Sequence, residues 1–143
     1  MKNLAPRTAR ELALEWQEGF EQLDVERLVN LFASDASFWD PRFPPFKGLA
    51  NIRLYYEDLL GKTRNWGGAI SEPYVLDESR FAVHTRTEFM LRGLEKVIDF
   101  PMVAFFTHRA GYVIGYEEYW DTAYMLSQFG PHATFPPAPK FVT

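Results

Sequence analysis

The apolar residues of this chain change period once, near Gly67-Gly68, and the change divides the molecule into a helical part and a sheet part. Before it, Leu12, Trp16, Phe20 and Leu23 recur at helical spacing, as do Ile52, Tyr55, Tyr56, Leu59 and Leu60. After it, the alternation has period two, which predicts strands over 69–76, 80–91, 95–108 and 111–121. The connections Asp77-Glu78-Ser79, Arg92-Gly93-Leu94 and Arg109-Ala110-Gly111 are short enough to make successive strands antiparallel neighbours. Helices first and an antiparallel sheet afterwards predict an α+β fold, a curved sheet wrapped around N-terminal helices with a cavity between them.

Local signals place the helices. Thr8 followed by Glu11 reads as a capping box and opens a helix from about Thr8 to Leu23, and Asp24 can cap a shorter one in which Val25, Leu28, Leu31 and Phe32 face the core. A brief strand over Ala36 to Asp40 is followed by Pro41, Pro44 and Pro45, which favour a fixed loop. A third helix runs from Gly48 to Leu60 and stops near Gly61; a last short one opens at Asp121-Thr122 and ends before Gly130. At 143 residues one domain is expected, over 1–130, with 131–143 a proline-rich tail that packs as an extended arm or stays mobile.

Composition narrows the function. Aromatic residues make up 17% of the chain, more than a plain core of this size needs, so some are expected to line a cavity or an interface. A formal charge of -4 gives no electrostatic reason to bind nucleic acid or an anionic membrane, and a small neutral or cationic ligand is easier to accommodate. The absence of cysteine excludes disulfides and thiolate catalysis, and His84, His108 and His132 lack the spacing of zinc ligands, so no metal or other cofactor is expected. The first residues, MKNLAPRTARELALEW, lack the apolar core of a signal peptide, and no run of about 18 apolar residues occurs, so a soluble cytoplasmic protein is expected.

Two stretches hold candidate chemistry: His84-Thr85-Arg86-Thr87-Glu88 and Tyr116-Glu117-Glu118-Tyr119-Trp120-Asp121. On strands, His84, Arg86 and Glu88 share one face of the first, and Tyr116, Glu118 and Trp120 one face of the second. If these faces and Asp40 point into one apolar cone, three carboxyls surround one guanidinium, and at least one must keep its proton near neutral pH. Trp16, Phe38, Tyr56, Met90, Phe100, Met102, Tyr116 and Trp120 are the expected substrate-binding walls, with Tyr55 or Tyr56 able to offer a phenol or simply to pack. Structural alternatives stand beside these readings: Arg86 and Glu88 as a surface pair, Asp40-Pro41 as a turn, His84 as a core histidine, Asp121 as a helix cap. Val83, Phe89, Phe105 and Tyr119 are expected to face outward and to form a homodimer contact.

The order of elements, with Phe38-Trp39-Asp40-Pro41 after the second helix and Glu118-Tyr119-Trp120-Asp121 closing the sheet, resembles the nuclear transport factor 2-like superfamily. Within it the resemblance is to limonene epoxide hydrolases, SnoaL-like polyketide cyclases and ketosteroid isomerases, and it covers roughly Ala13 to Phe129. It implies a cone-shaped α+β barrel, usually dimeric. Arg86-Thr87-Glu88 is similar to the Arg-x-Asp motif of the epoxide hydrolases, which implies Arg86 as bridge, Glu88 as acid and Glu118 as base. Phe38 and Asp40 stand where those enzymes have a tyrosine and an asparagine. Asp40-Pro41 also looks like the proton-shuttling Asp-Pro of the isomerases, whose oxyanion-donor tyrosine and aspartate are missing here, their positions falling near Trp16 and Val103. The implied function is cofactor-independent acid–base catalysis on a small apolar, cyclic substrate by epoxide-hydrolase-like water addition. The alternatives are cyclase or isomerase proton transfer with Asp40 as base, and a non-catalytic binding module.

Overall fold

The structure, a computed structural model, describes residues 5–143. Helix α1 (Ala9–Glu21) begins where Thr8 Oγ1 accepts the Glu11 N–H at 3.2 Å and the Glu11 carboxylate accepts the Thr8 N–H, the reciprocal pair the sequence predicts. Leu23 lies beyond its end in the left-handed region, at φ 52°. Helix α2 (Val25–Val29) is capped by Asp24, and after β1 (Phe32–Trp39) and β2 (Phe46–Lys47) comes α3 (Leu49–Gly61). Leu12, Trp16 and Phe20 of α1 and Ile52, Tyr55 and Tyr56 of α3 are buried in the core.

The remaining strands are β3 (Thr63–Ile70), β4 (Tyr74–Val75), β5 (Arg80–Leu91), β6 (Ile98–Arg109) and β7 (Tyr112–Tyr119). They join β1 and β2 in a curved, unclosed sheet of order β2-β1-β7-β6-β5-β3, with β4 also on β5. All pairings are antiparallel except β1 with β7, which is parallel, so the sheet is mixed rather than wholly antiparallel. The expected hairpin logic holds from β5 to β7, where short turns dictate direction. At β1–β7 most of the chain intervenes, and no turn constrains it.

Gly67-Gly68 does not separate the two halves. β3 starts at Thr63 and runs through both glycines; Gly68 has φ 113°, and a Cβ there would lie 2.0 Å from the Arg86 carbonyl oxygen. The glycine therefore permits close approach of β3 to β5 instead of ending an element.

The phase of β5 is the principal correction. Phe81, Val83, Thr85, Thr87 and Phe89 are buried, whereas His84, Arg86 and Glu88 are exposed. The strand alternates as its sequence predicts but in the opposite phase, which exchanges every side chain between faces. Phe81, Val83 and Phe89 determine the phase, because burying three large apolar groups is favourable and burying an imidazole, a guanidinium and a carboxylate is not. Thr85 and Thr87 are tolerated inside because their hydroxyls bond each other at 2.9 Å. On β7 a register shift opposite Thr107 and His108 lets Val113, Tyr116 and Glu118 all turn inward.

Helix α4 (Thr122–Ser127) starts at Asp121, whose carboxylate accepts the Tyr124 N–H at 2.9 Å; Asp121 is a cap. The tail beyond it packs on the body, with Phe141 stacked on Phe46 at 4.1 Å between centroids.

Candidate active site

Asp40 follows the last residue of β1, and its backbone turns at once: its carbonyl accepts the Phe43 N–H and its Oδ1 accepts the Arg42 N–H at 2.8 Å. This Asp-Pro turn folds the Arg42 side chain back onto the same carboxylate, Nε to Oδ1 at 3.1 Å and Nη2 to Oδ2 at 2.8 Å. From α3 the Tyr55 hydroxyl donates to Asp40 Oδ2 at 2.6 Å. Asp40 is 1% exposed, and both its oxygens are occupied. The turn at Asp40-Pro41 and the burial of the Asp40 carboxylate against Arg42 and Tyr55 are thus two aspects of one arrangement.

Glu118 enters from β7. Its Oε2 accepts the Trp120 indole N–H at 3.0 Å, and its Oε1 lies 3.2 Å from the Tyr55 hydroxyl. Tyr55 has one hydrogen, and the shorter contact assigns it to Asp40. A protonated Glu118 can then donate to Tyr55, giving a chain from Glu118 through Tyr55 to Asp40 and Arg42. Burial first, and repulsion from Asp40 second, push the Glu118 carboxyl up to about 8, against the opposing pull of Arg42, Tyr55 and Trp120. Burial also opposes the charge of Arg42, but Tyr55, Asp40 and Glu118 outweigh it and hold the guanidinium protonated. The buried Tyr55 phenol is raised well above its ordinary range, chiefly by burial and then by the two carboxyls.

These groups form the polar wall of a cavity of about 290 Å³, otherwise lined largely by apolar side chains including Trp66, Phe89, Phe100, Trp120 and Phe135. The volume suits a ligand of one or two small rings. Tyr55, Asp58 and Leu59 of α3, with Lys62 at its C-terminal cap, border it along one stripe.

Of the residues singled out from sequence, Asp40, Glu118, Phe100 and Trp120 meet in this cavity. Trp16, Phe38, Tyr56, Met102 and Tyr116 do not line it; they are packed in the core, each no more than 4% exposed. Met90 is half-buried, its sulfur beside Arg64 and Asn65. His84, Arg86 and Glu88 lie on the outer face, where Arg86 pairs with Asp99 at 3.1 Å, a surface ion pair. Val83 and Phe89 point inward, leaving Phe105 and Tyr119 outside with Trp39, whose ring centroid is 5.0 Å from that of Tyr119.

The guanidinium of the site is Arg42, which sequence reasoning missed. The available signal was its position two residues after an Asp-Pro aspartate, where an Asx turn brings backbone and side chain to the carboxylate. Tyr55 lies on a helical stripe that fits a cavity wall and a core equally well.

A family model described as SnoaL-like domain matches residues 13–116. No curated protein sequence matches. Among solved structures, a protein of Catenulispora acidiphila with a ketosteroid isomerase-like fold, in complex with trimethylamine, aligns with TM-score 0.79 and 18% identity, over 90% of this chain and 100% of that one. An LEH-like epoxide hydrolase of M. tuberculosis aligns with TM-score 0.70 and 12% identity, over 84% and 87%. The epoxide hydrolase/cyclase-like enzyme SalBIII, with a role in pyran ring formation in the polyether salinomycin, aligns with TM-score 0.69 and 19% identity, over 79% and 90%. At these identities the likeness is one of fold.

Proposed function

Because the chain belongs to the SnoaL-like domain family, we propose that it is a cofactor-independent acid–base enzyme that moves a proton on a small, apolar, ring-containing carbonyl substrate, as an isomerase or cyclase does. The observation that carries this reading is the unequal hydrogen bonding of the two cavity carboxyls. Asp40 is saturated by Arg42 and Tyr55, whereas Glu118 keeps lone pairs free and binds its proton more tightly than an ordinary carboxyl. One free carboxyl with its affinity raised toward neutrality suits removal and return of one proton. In its ionised form Glu118 takes a proton from carbon next to the carbonyl; in its protonated form it returns it. Arg42, beside it, offers positive charge and the N–H groups of its Nη1 to the enolate oxygen, while Tyr55 keeps its one hydrogen on Asp40.

The water-addition reading needs a separate base for water and acid for the leaving oxygen. Arg86 and Glu88, which the resemblance assigns to that task, are on the outer face, and Asp40 has no oxygen to spare. This favours proton transfer over hydrolysis. Capture of a ligand without turnover remains a second reading, favoured by the aromatic walls and by the trimethylamine held by the Catenulispora protein.

The experiment is isotopic. Cyclic ketones and cyclic epoxides are offered in deuterium oxide and in oxygen-18 water, with wild type and Glu118→Gln. Proton transfer predicts deuterium at carbon next to the carbonyl, with a loss of about 10²–10⁴-fold in the variant. Incorporation of oxygen-18 on epoxide opening would establish hydrolysis instead, and trimethylamine binding by calorimetry without either exchange would establish capture.

We further propose a homodimer formed through the outer aromatic face of Trp39, Phe105 and Tyr119, of which Tyr119 is 47% exposed. Phe105→Glu should shift the sedimentation of the protein to that of a monomer; a dimer unaffected by it would refute this face.

A further inference from the structure

The C-terminal segment is fastened to the body by two side-chain amides. Gln128 accepts the Asp99 N–H of β6 at 3.0 Å and donates to the Asp99 carbonyl at 2.7 Å. Asn51 of α3 accepts the Val142 N–H at 2.7 Å and donates to the Val142 carbonyl at 2.6 Å. Each amide reproduces the pair of bonds that a neighbouring strand would make. Between these fastenings, the only hydrogen bonds made by residues 130–141, among the described residues, are within the stretch: Ala133 N–H to the Gly130 carbonyl, and Phe141 N–H to the Pro139 carbonyl. Four prolines in the tail donate none.

This stretch lies over the cavity. Phe129, Thr134, Phe135 and Pro136 form part of its wall. Phe135 meets Trp120 edge-on at 5.9 Å and lies 5.9 Å from the Arg42 guanidinium, so the segment touches two groups that contact the carboxyls. Apart from the two amides, and the Lys96 ammonium that donates to the Gln128 carbonyl, it is held among the described residues by apolar and ring contacts, chiefly Phe141 on Phe46. Gly130, at φ 122°, stands where the chain leaves the Gln128 fastening.

We propose that residues 129–142 form a lid over the cavity, hinged near Gly130 and latched by the Asn51–Val142 pair. Because no strand ladder crosses it, the lid opens without disturbing the sheet. Glu118, only 7% exposed, becomes reachable when the latch releases. This inference is independent of the reaction proposed above, and its test requires no substrate.

The chain has no cysteine, so Met125→Cys, at a cavity-lining side chain 5% exposed, introduces a unique thiol beneath the lid. Its rate of alkylation by N-ethylmaleimide is measured with the native tail and after adding Phe141→Ala or Val142→Pro, the latter removing the N–H that Asn51 accepts. Unlatching is expected to raise the rate at least ~10-fold in the absence of urea, and the rate should depend on urea far less steeply than global unfolding does, because local opening exposes little surface. Equal rates in all three proteins, or rates that rise with urea as steeply as global unfolding does, would overturn the lid.

Discussion

Glu118 and its neighbours show how position changes the worth of a residue type. The unfolded chain holds the Glu118 proton with ordinary carboxyl affinity, and the folded protein holds it up to about pH 8. The folded state therefore binds more protons over that interval. The contribution of Glu118 is fully present below the ordinary glutamate range and is lost as pH rises through about 8. Glu118→Gln resembles the protonated form, so urea unfolding across pH 5 to 9 should show a stability that falls less with pH than that of wild type. The same carboxyl governs rate: as base, it should make kcat/KM rise with pH and level off above about 8. A fall above that point would identify it as the initial acid. Tyr55 and Tyr56 are adjacent in sequence but differ in partners. Among the described residues the Tyr56 hydroxyl and the Trp16 indole N–H are buried without hydrogen-bond partners, whereas the Tyr55 hydroxyl bonds Asp40. Tyr56→Phe should leave stability unchanged or raise it slightly, whereas Tyr55→Phe should lower it by about 1–3 kcal/mol, both by urea unfolding.

At the level of elements, the helices were legible because their signals are local: the Thr8–Glu11 box, the Asp24 cap and the α3 stripe each lie within a few residues. The face of β5 was not, because a strand of alternating residues offers two phases and the choice depends on what packs against it. Reading Arg86 as the attraction and Val83 and Phe89 as surface reversed the weights of charge and apolar area. The two arginines now make opposite predictions. Arg86→Ala removes an exposed pair and should change stability by less than about 1 kcal/mol. Arg42→Ala leaves the Asp40 carboxylate buried and unpaired and should cost about 3–5 kcal/mol. Gly68 is the complementary case in the backbone. Gly68→Ala would force a Cβ against the Arg86 carbonyl at a positive φ, and should lower stability by more than ~2 kcal/mol in urea unfolding.

For the whole molecule, the α+β class and its family were readable because the order of helices and strands survives local errors of register. The site was half readable. Asp40 and Glu118 carry their own signals, an Asp-Pro turn and an aromatic-flanked strand position. Their assembly with Arg42 and Tyr55 depends on the meeting of β1, α3 and β7, which no local pattern encodes. The cavity in turn depends on the C-terminal tail, whose sequence has no period and whose place is fixed by Asn51, far away in the chain. The account rests on one protonation state produced by that assembly. Carbon-13 NMR titration of the Glu118 side-chain carboxyl, assigned through Glu118→Gln, measures it directly. A midpoint near 8 is predicted, and a midpoint near the ordinary 4.5 of a solvated glutamate would contradict the proposed chemistry.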